Sequence, residues 1–244
     1  MSLRVTLATA ARVLGQLRRD RRTIALVLVV PPALMTLFKY VFDEQPQTFD
    51  RIGGPMVGLF PFISMFLVTS IAMLRERTTG TLERLMSLPL AKLDLLLGYA
   101  IAFALLAVAQ AALTAGVSFG LLGLDSAGPV WLVVVLAVAN AVLGMALGLF
   151  LSAFAQTEFQ AVQFMPAFVL PQVLLAGLLV PRDKMAPVLE AISYAMPLTY
   201  AYDALARATA DELGRRLTVD IVVICAFVVL SLVLGATTLR RRTA

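Results

Sequence analysis

The chain has 244 residues, of which 60% are hydrophobic and 14% are charged, and its formal net charge is +5. Soluble domains carry about 25% charged residues, so this composition excludes an ordinary soluble domain and indicates a membrane protein. Histidine is absent and Cys225 is the only cysteine. An intrachain disulfide and the usual zinc, haem and serine–histidine–aspartate sites are therefore excluded, and we expect no catalytic residue and no metal site. Cys225 itself is expected to be a small buried side chain.

Six apolar stretches are long enough to cross a bilayer as helices, which takes about 20 residues each. They are residues 24–42, 55–74, 95–122, 130–154, 161–180 and 219–239. The middle of each stretch contains no Asp, Glu, Lys or Arg. The sequence predicts an all-α polytopic membrane protein with six transmembrane helices, forming a single domain over residues 1–244.

The first 22 residues are too polar to span a bilayer. An apolar residue recurs there every three or four positions, at Leu3, Leu7, Ala10, Leu14 and Leu17, and most of the arginines lie off this face. We expect a basic amphipathic helix over residues 1–22 that lies in the membrane interface near anionic lipid headgroups. The six-helix membrane domain follows over residues 23–239, and a basic tail over residues 240–244.

The basic residues are distributed unequally between the two sides of the predicted membrane domain. Thirteen of the 20 fall on one side if both termini are cytoplasmic. This distribution satisfies the positive-inside rule for an even number of spans. The net charge is therefore explained by membrane orientation, and no nucleic-acid partner is expected.

Two further segments carry structural signals. Residues 180–219 mix apolar and polar stretches around Pro187 and Pro197, which predicts two short helices that dip into the outer leaflet before the last span. The fourth apolar stretch carries small residues at helical spacing, which indicate close helix packing within the chain or between two copies. These are Ala137, Ala141, Gly144 and Gly148.

The predicted cytoplasmic loop after the second span reads LRERTTGTLERLMSLPL, residues 74–90. Gly80 and Thr81 favour a helix start and Pro89 a stop. A short helix between them would be apolar on one face and charged on the other. The two faces are Leu82, Leu85 and Met86, and Glu83, Arg84 and Ser87. Spacing alone leaves an ordinary solvated turn as an equal alternative.

The run ERTTGTLE at residues 76–83, followed by Pro89, resembles the E-R-x-x-G-T-L-E … P signature of ABC transporter type-2 permeases. Residues 196–200 (MPLTY) and 203–205 (DAL) resemble the family's P-L-T-Y … D-A-L-R run. One departure is that Ala206 stands where the family commonly has arginine, and Arg207 follows one place later.

The resemblance implies that the short helix is a coupling helix that docks into a separate ATP-binding subunit. Two permease copies, identical or different, and two ATPase subunits would form a transporter in the bacterial plasma membrane. The chain contains no GxxxxGK[ST] phosphate loop, so it is not expected to be an enzyme or to bind a cofactor, and ATP and Mg²⁺ would belong to the partner. The candidate coupling residues are Glu76, Arg77, Gly80, Thr81, Leu82, Glu83 and Arg84.

In the resembled family the second and fifth spans line the translocation path. Deformable aromatic and methionine side chains with uncharged glutamines on these spans favour an amphipathic drug or lipid-like substrate. The candidates for this path are Phe60, Phe62, Met65, Phe66, Gln160, Gln163, Phe164, Phe168 and Gln172. The predicted function is the membrane subunit of an ATP-driven exporter.

Three other functions are alternatives to an ATP-driven exporter. An ion-coupled secondary transporter usually needs carboxylates at membrane depth, which the predicted spans lack. A membrane-embedded aspartyl enzyme would have to pair Asp125 with Asp203, and both are predicted at the outer surface. A structural membrane subunit without transport activity is the third alternative.

Overall fold

A computed structural model describes residues 2–86 and 92–238, apart from the side chains of Leu82, Glu83 and Met86. Every regular element in these ranges is helical, which confirms the all-α prediction. The α-helices are α1 (Leu3–Arg19), α2 (Arg21–Val41), α3 (Pro46–Thr78), α4 (Thr81–Met86), α5 (Lys92–Gly120), α6 (Val130–Leu151), α7 (Glu158–Phe164), α8 (Leu170–Leu175), α9 (Pro187–Ser193), α10 (Pro197–Thr209) and α11 (Arg215–Thr238). A π-helical turn, Met165–Val169, joins α7 to α8, and a 3₁₀ turn, Arg182–Lys184, precedes α9.

Among the described helices, five are long and apolar enough to cross a membrane, namely α2, α3, α5, α6 and α11. Each coincides with one predicted span. The remaining stretch, residues 161–180, is occupied by α7, the π-helical turn and α8. Pro166 and Pro171 interrupt the regular hydrogen bonding there because they lack an N–H, and a π-helical turn absorbs the interruption. The chain is therefore a multi-pass helical protein in which the predicted fifth span is a broken helix.

The centre of the fold is the close contact between α3 and α6. Gly144 and Gly148 of α6 lie against the backbone of α3, and a Cβ added at Gly144 would lie 2.2 Å from the carbonyl oxygen of Phe62. The hydroxyl oxygen of Thr69 on α3 lies 3.2 Å from the carbonyl oxygen of Met145 on α6. Small residues allow helix backbones to approach closely where lipid gives no driving force for association. The small residues of α6 thus serve packing within the chain.

Helix α1 forms where it is predicted and packs along α5. Gly98 of α5 leaves room for it, because a Cβ at Gly98 would lie 2.5 Å from the Cβ of Thr9. Leu3 and Leu7 remain 73% and 51% exposed. The buried face is therefore rotated only partly away from the predicted stripe, because Ala10 of the stripe is buried and Leu14 and Leu17 pack partly against the core. The buried face consists of Thr6, Thr9, Ala10 and Val13.

The two short helices predicted between residues 180 and 219 are present as α9 and α10. Helix α10 is buried against α3, α6 and α11. Its Leu205 and Thr209 occupy the space beside Gly58 and Gly54 on α3, where a Cβ would lie 2.4 Å and 2.2 Å from their side-chain atoms. Because α10 is enclosed on three sides, its backbone is shielded by protein.

Cys225 is exposed on α11, so the prediction that it is buried was wrong. Helix α11 packs against α5, α6 and α10, and an apolar sequence does not reveal which of its residues face those helices. The predicted basic tail at residues 240–244, together with Ser87 and Pro89, lies outside the described residues.

We predict that Gly144→Ala lowers the free energy of unfolding by about 1–3 kcal/mol, because the added methyl group overpacks the α3–α6 contact. Gly116→Ala is the matched control, since Gly116 lies within α5 with no atom close to an added Cβ. Thermal unfolding of both purified variants in the same detergent measures the difference. Equal melting temperatures for Gly144→Ala and the original chain would contradict the packing described here.

Candidate functional site

Helix α3 ends directly before the short helix α4. The N–H of Thr79 donates to the carbonyl of Arg75 at 2.9 Å and closes α3. Gly80 then adopts φ +73°, a left-handed conformation that favours glycine at a helix end. The N–H of Arg84 donates to the carbonyl of Gly80 at 3.1 Å, which places α4 immediately after the turn. A turn of two residues therefore joins α4 to the last turn of α3.

Glu76, near this end of α3, is held by contacts within the chain. One of its carboxylate oxygens, Oε1, lies 3.5 Å from the guanidinium of Arg12 and 3.3 Å from the amide nitrogen of Gln16, both on α1. Arg12 also donates to the hydroxyl of Tyr99 on α5, and its guanidinium lies 5.5 Å from the centre of that ring. The Glu76 side chain is only 12% exposed. Glu76 therefore connects α3 to α1 and α5.

The residues on either side of Glu76 reach different helices. Arg75 donates to both carboxylate oxygens of Glu158 on α7, at 2.7 Å and 3.1 Å. Nη2 of Arg77 lies 3.4 Å from Oγ1 of Thr238 on α11. Successive helical positions point about 100° apart, so three consecutive charged residues can contact three separate neighbours. This end of α3 is thereby tied to α1, α7 and α11.

The predicted coupling residues consequently divide into two groups. Glu76 and Arg77 make contacts inside the chain, whereas Gly80 lies in the turn, Thr81 begins α4 and Arg84 is exposed on α4. The side chains of Leu82 and Glu83 lie outside the described part of the chain.

A cavity of about 730 Å³ opens between α1, α2 and α3, with α5 behind it. One face of α3 forms its wall, at positions spaced three or four residues apart. The wall residues on α3, up to the polar end of the cavity, are Phe60, Ile63, Ser64, Leu67, Val68, Ile71 and Ala72. At one end the cavity is bordered by polar groups that include Asp20 and Glu76. The hydroxyl and the N–H of Thr23 donate to Asp20 and lower the pKa of its carboxyl group.

The four path candidates on α3 are divided between its two faces. Phe60 lines the cavity. Phe62, Met65 and Phe66 are completely buried on the opposite face of the helix, which packs on α6. Both faces of α3 are apolar, so the sequence alone does not distinguish the packed face from the cavity face. Of these four residues only Phe60 borders the open space.

The candidates on the broken helix lie mostly on its surface. Gln160, Gln163 and Phe168 are exposed, and Phe164 is half-buried near α3. Gln172 differs because it is fully buried. Its amide nitrogen donates to the carbonyl of Phe168 at 3.1 Å, and its amide oxygen accepts from the N–H of Leu198 at 3.4 Å. Gln172 therefore holds the start of α10.

A cluster of ion pairs that the sequence did not predict lies at the other end of the bundle. Arg182 donates to Asp203, whose side chain is 15% exposed. Arg207 lies 3.6 Å from Asp203 and 3.1 Å from Asp220 of α11. Burial raises the pKa of Asp203, and the two guanidinium groups oppose that shift. The spacing of Arg207 and Asp203 (i, i+4) was a local signal, but the contact with Asp220 depends on the fold.

The fold and the site define the chain as a multi-pass helical membrane protein in which a short helix is attached to a central span. The chain belongs to the ABC-2 type transporter family, whose model matches residues 4–209. The resemblance inferred from ERTTGTLE is thereby confirmed, and the chain is classed as an ABC transporter permease.

Curated proteins that resemble the chain are named as ABC transporter proteins. The chain is 26% identical over 148 residues to the probable multidrug ABC transporter permease YbhR of Escherichia coli strain K12, covering 61% of this chain and 40% of YbhR. It is 28% identical over 140 residues to the probable multidrug ABC transporter permease YbhS of the same strain, covering 57% and 37%. It is 24% identical over 156 residues to ABC transporter G family member 20 of Dictyostelium discoideum, covering 64% and 21%. The matched region thus spans less than half of each relative.

We predict that Arg12 and Glu76 are energetically coupled. In a double-mutant cycle with Arg12→Ala and Glu76→Ala, the coupling should be about 1–3 kcal/mol, because removing either partner leaves a mostly buried charge. The exposed pair Arg75–Glu158, with side chains 54% and 53% exposed, is the matched control and should give about 0–1 kcal/mol despite its shorter distance. Unfolding of the purified variants measures both cycles. A larger coupling for the exposed pair would contradict the role assigned to Glu76.

Proposed function

We propose that the chain is the transmembrane permease subunit of an ATP-driven exporter that carries an amphipathic, drug-like or lipid-like substrate out of a bacterial cell. Family membership supports the transporter class, and the apolar cavity with polar groups at one end supports the substrate class. The observation that carries the proposal is the direct connection between α4 and α3. One face of α3 forms a wall of the cavity.

In the proposed mechanism, α4 docks on the ATPase subunit and moves when that subunit binds and hydrolyses ATP. Because only two residues separate α4 from α3, its displacement is passed to α3 with little loss. The contacts of Arg75, Glu76 and Arg77 then distribute the displacement to α7, α1 and α11. Since α1 and α3 both border the cavity, the movement changes the shape of the space that holds the substrate.

The proposed partner subunits supply what the chain itself lacks. It contains no phosphate loop, so two ATPase subunits that bind ATP and Mg²⁺ are proposed to provide the energy. A second permease copy, identical or different, would face the broken helix formed by α7, the π-helical turn and α8. Exposed Gln163 on this helix supports such a partner, because an amide facing lipid is costly unless it is covered or hydrated.

The proposed topology has six crossings and places both termini and α4 in the cytoplasm of the bacterial cell. The broken helix supplies the fifth crossing, α9 and α10 lie in the outer leaflet, and α1 lies in the inner interface.

An ion-coupled transporter is less well supported as a function. The acidic residue within α11, Asp220, lies near the end of that helix and is paired with Arg207.

The topology predicts which engineered cysteines react from each side of the membrane. In a Cys225→Ser background, cysteines replacing Arg4 and Ser87 should react with an impermeant thiol reagent only after the cells are opened. Cysteines replacing Gln47 and Asp211 should react in intact cells. Labelling of the cysteine at position 87 in intact cells would overturn both the orientation and the docking of α4.

The docking of α4 predicts different effects for two neighbouring charge removals. We expect Glu83→Ala to abolish efflux and to weaken co-purification of the ATPase, since losing one partner of a buried interfacial charge pair costs about 2–5 kcal/mol. Arg84→Ala should be milder, because we propose that Arg84 helps to orient the loop toward the cytoplasm and that Glu83 makes the docking contact. The measurements are substrate efflux, ATPase co-purification and membrane abundance for each variant.

The isolated permease, free of other subunits, should not hydrolyse ATP. Normal efflux by Glu83→Ala at normal abundance, or ATP hydrolysis by the isolated chain, would contradict the proposed function.

A further inference from the structure

The cavity between α1, α2 and α3 is divided into an apolar body and a polar end. Its apolar walls come from α2, including Val27 and Leu34, and from α3, including Ile63 and Leu67. Asp20, at the corner between α1 and α2, and Glu76 lie at the polar end. A ligand that fits this space therefore has an apolar body and one polar or charged group.

The polar end has more negative than positive charge available to a ligand. The guanidinium of Arg75, the basic side chain among the lining residues, is held by both oxygens of Glu158. Glu76 uses one oxygen to contact α1, and its second oxygen, Oε2, is buried with no hydrogen-bond partner in the described part of the chain. A buried carboxylate oxygen without a partner is costly, and a cation at the nearby polar end of the cavity would lower that cost through charge attraction.

Asp20 supplies the second carboxylate. Its oxygens accept from the N–H and the hydroxyl of Thr23, at 3.1 Å and 2.7 Å. Within residues 2–86 and 92–238 it makes no ion pair with a basic side chain. Charge attraction from the Arg75 guanidinium also contributes to lowering the pKa of Asp20, but the hydrogen bonds of Arg75 go to Glu158. Asp20 is therefore oriented by Thr23 and shares one nearby cation with a second carboxylate.

Four arginines near Asp20 carry positive charge, but they do not line the cavity. They are exposed on the surface around the corner between α1 and α2, where water and salt screen them. They are Arg18, Arg19, Arg21 and Arg22. The sign of the charge inside the cavity is thus opposite to that of the surface around it.

We propose that this cavity selects amphipathic cations, with the apolar body held between α2 and α3 and the cationic group beside Asp20 and the unpartnered oxygen of Glu76. This rests on the proposed function, since it names the substrate class of the same cavity. Two carboxylates and one guanidinium border the polar end, so a cation is attracted there, whereas an anion of the same shape is repelled. Charge complementarity of this kind determines specificity more than it determines affinity.

Two probe ions of nearly equal shape and opposite charge test the proposal. Binding of radiolabelled tetraphenylphosphonium and tetraphenylborate is measured by equilibrium dialysis with the purified chain in nanodiscs of zwitterionic phosphatidylcholine, after subtraction of binding to empty nanodiscs. Tetraphenylphosphonium should bind more tightly to the chain than tetraphenylborate does. Equal protein-dependent binding of the two ions, or preference for the anion, would overturn the proposal.

Asp20→Asn removes the charge and keeps the local structure, because asparagine caps a helix about as well as aspartate does. It should weaken tetraphenylphosphonium binding about five- to tenfold, as expected for the loss of one partly exposed charge interaction. Asp43→Asn is the matched control, since Asp43 is exposed between α2 and α3 and does not line the cavity. Unchanged cation affinity in Asp20→Asn would contradict the proposal.

Ser64→Phe locates the binding site independently of charge. A phenyl ring at this position on the α3 wall fills part of the cavity and should weaken the binding of both ions. Unchanged binding of the cation would place its site elsewhere and overturn the proposal.

The binding assay uses the permease without an ATPase, so the two proposals can fail separately. Absence of cation selectivity together with ATP-driven efflux of another substrate would refute only the substrate class. Selective cation binding without any ATP-driven efflux would support the substrate class and refute the proposed transport function.

Discussion

The contact between α3 and α6 is the constraint on which the rest of the structure depends. Gly144 brings the backbone of α6 against that of α3, and this contact assigns one face of α3 to the core. The opposite face is then left to line the cavity, and Gly54 and Gly58 are placed to receive α10. Lipid is as apolar as these side chains, so burial alone would not choose between the two faces. Close backbone approach makes that choice, and it thereby determines which residues of α3 border the cavity.

Short helices in this fold are held differently from long ones. A helix of about 20 apolar residues is positioned by the bilayer itself, whereas α1 and α10 are too polar or too short for that. Each is fixed by buried polar contacts instead: α1 by the contacts of Arg12 with Glu76 and Tyr99, and α10 by Arg207 with Asp203 and Asp220. These charges lie at the two ends of the bundle, where desolvating them costs less than it would in the middle of a span.

The sequence was sufficient to predict the helical class, the approximate positions of the long helices, α1, the short helix after Gly80 and the pair α9 and α10. Those features depend on hydrophobic length, proline positions and local turn chemistry, all of which are local in sequence. The orientation of each helix about its own axis was not predictable, because α3 is apolar all round. Phe62 therefore looked equivalent to Phe60, although only Phe60 borders the cavity. The partners of Glu76 lie more than 20 residues away in sequence, so its internal role required the fold.

The central claim of this account is that displacement of α4 is transmitted through α3 to the wall of the cavity. Spin labels at position 26 on α2 and position 72 on α3, both of which line the cavity, test it directly in the reconstituted complex with its ATPase. Pulsed electron–electron double resonance should show that the distance between the two labels changes by at least about 2 Å between the nucleotide-free and ATP-trapped states. A reference pair at Gln47 of α3 and Trp131 of α6 should stay unchanged because those helices are locked together. An unchanged distance across the cavity in a complex that hydrolyses ATP would contradict the account.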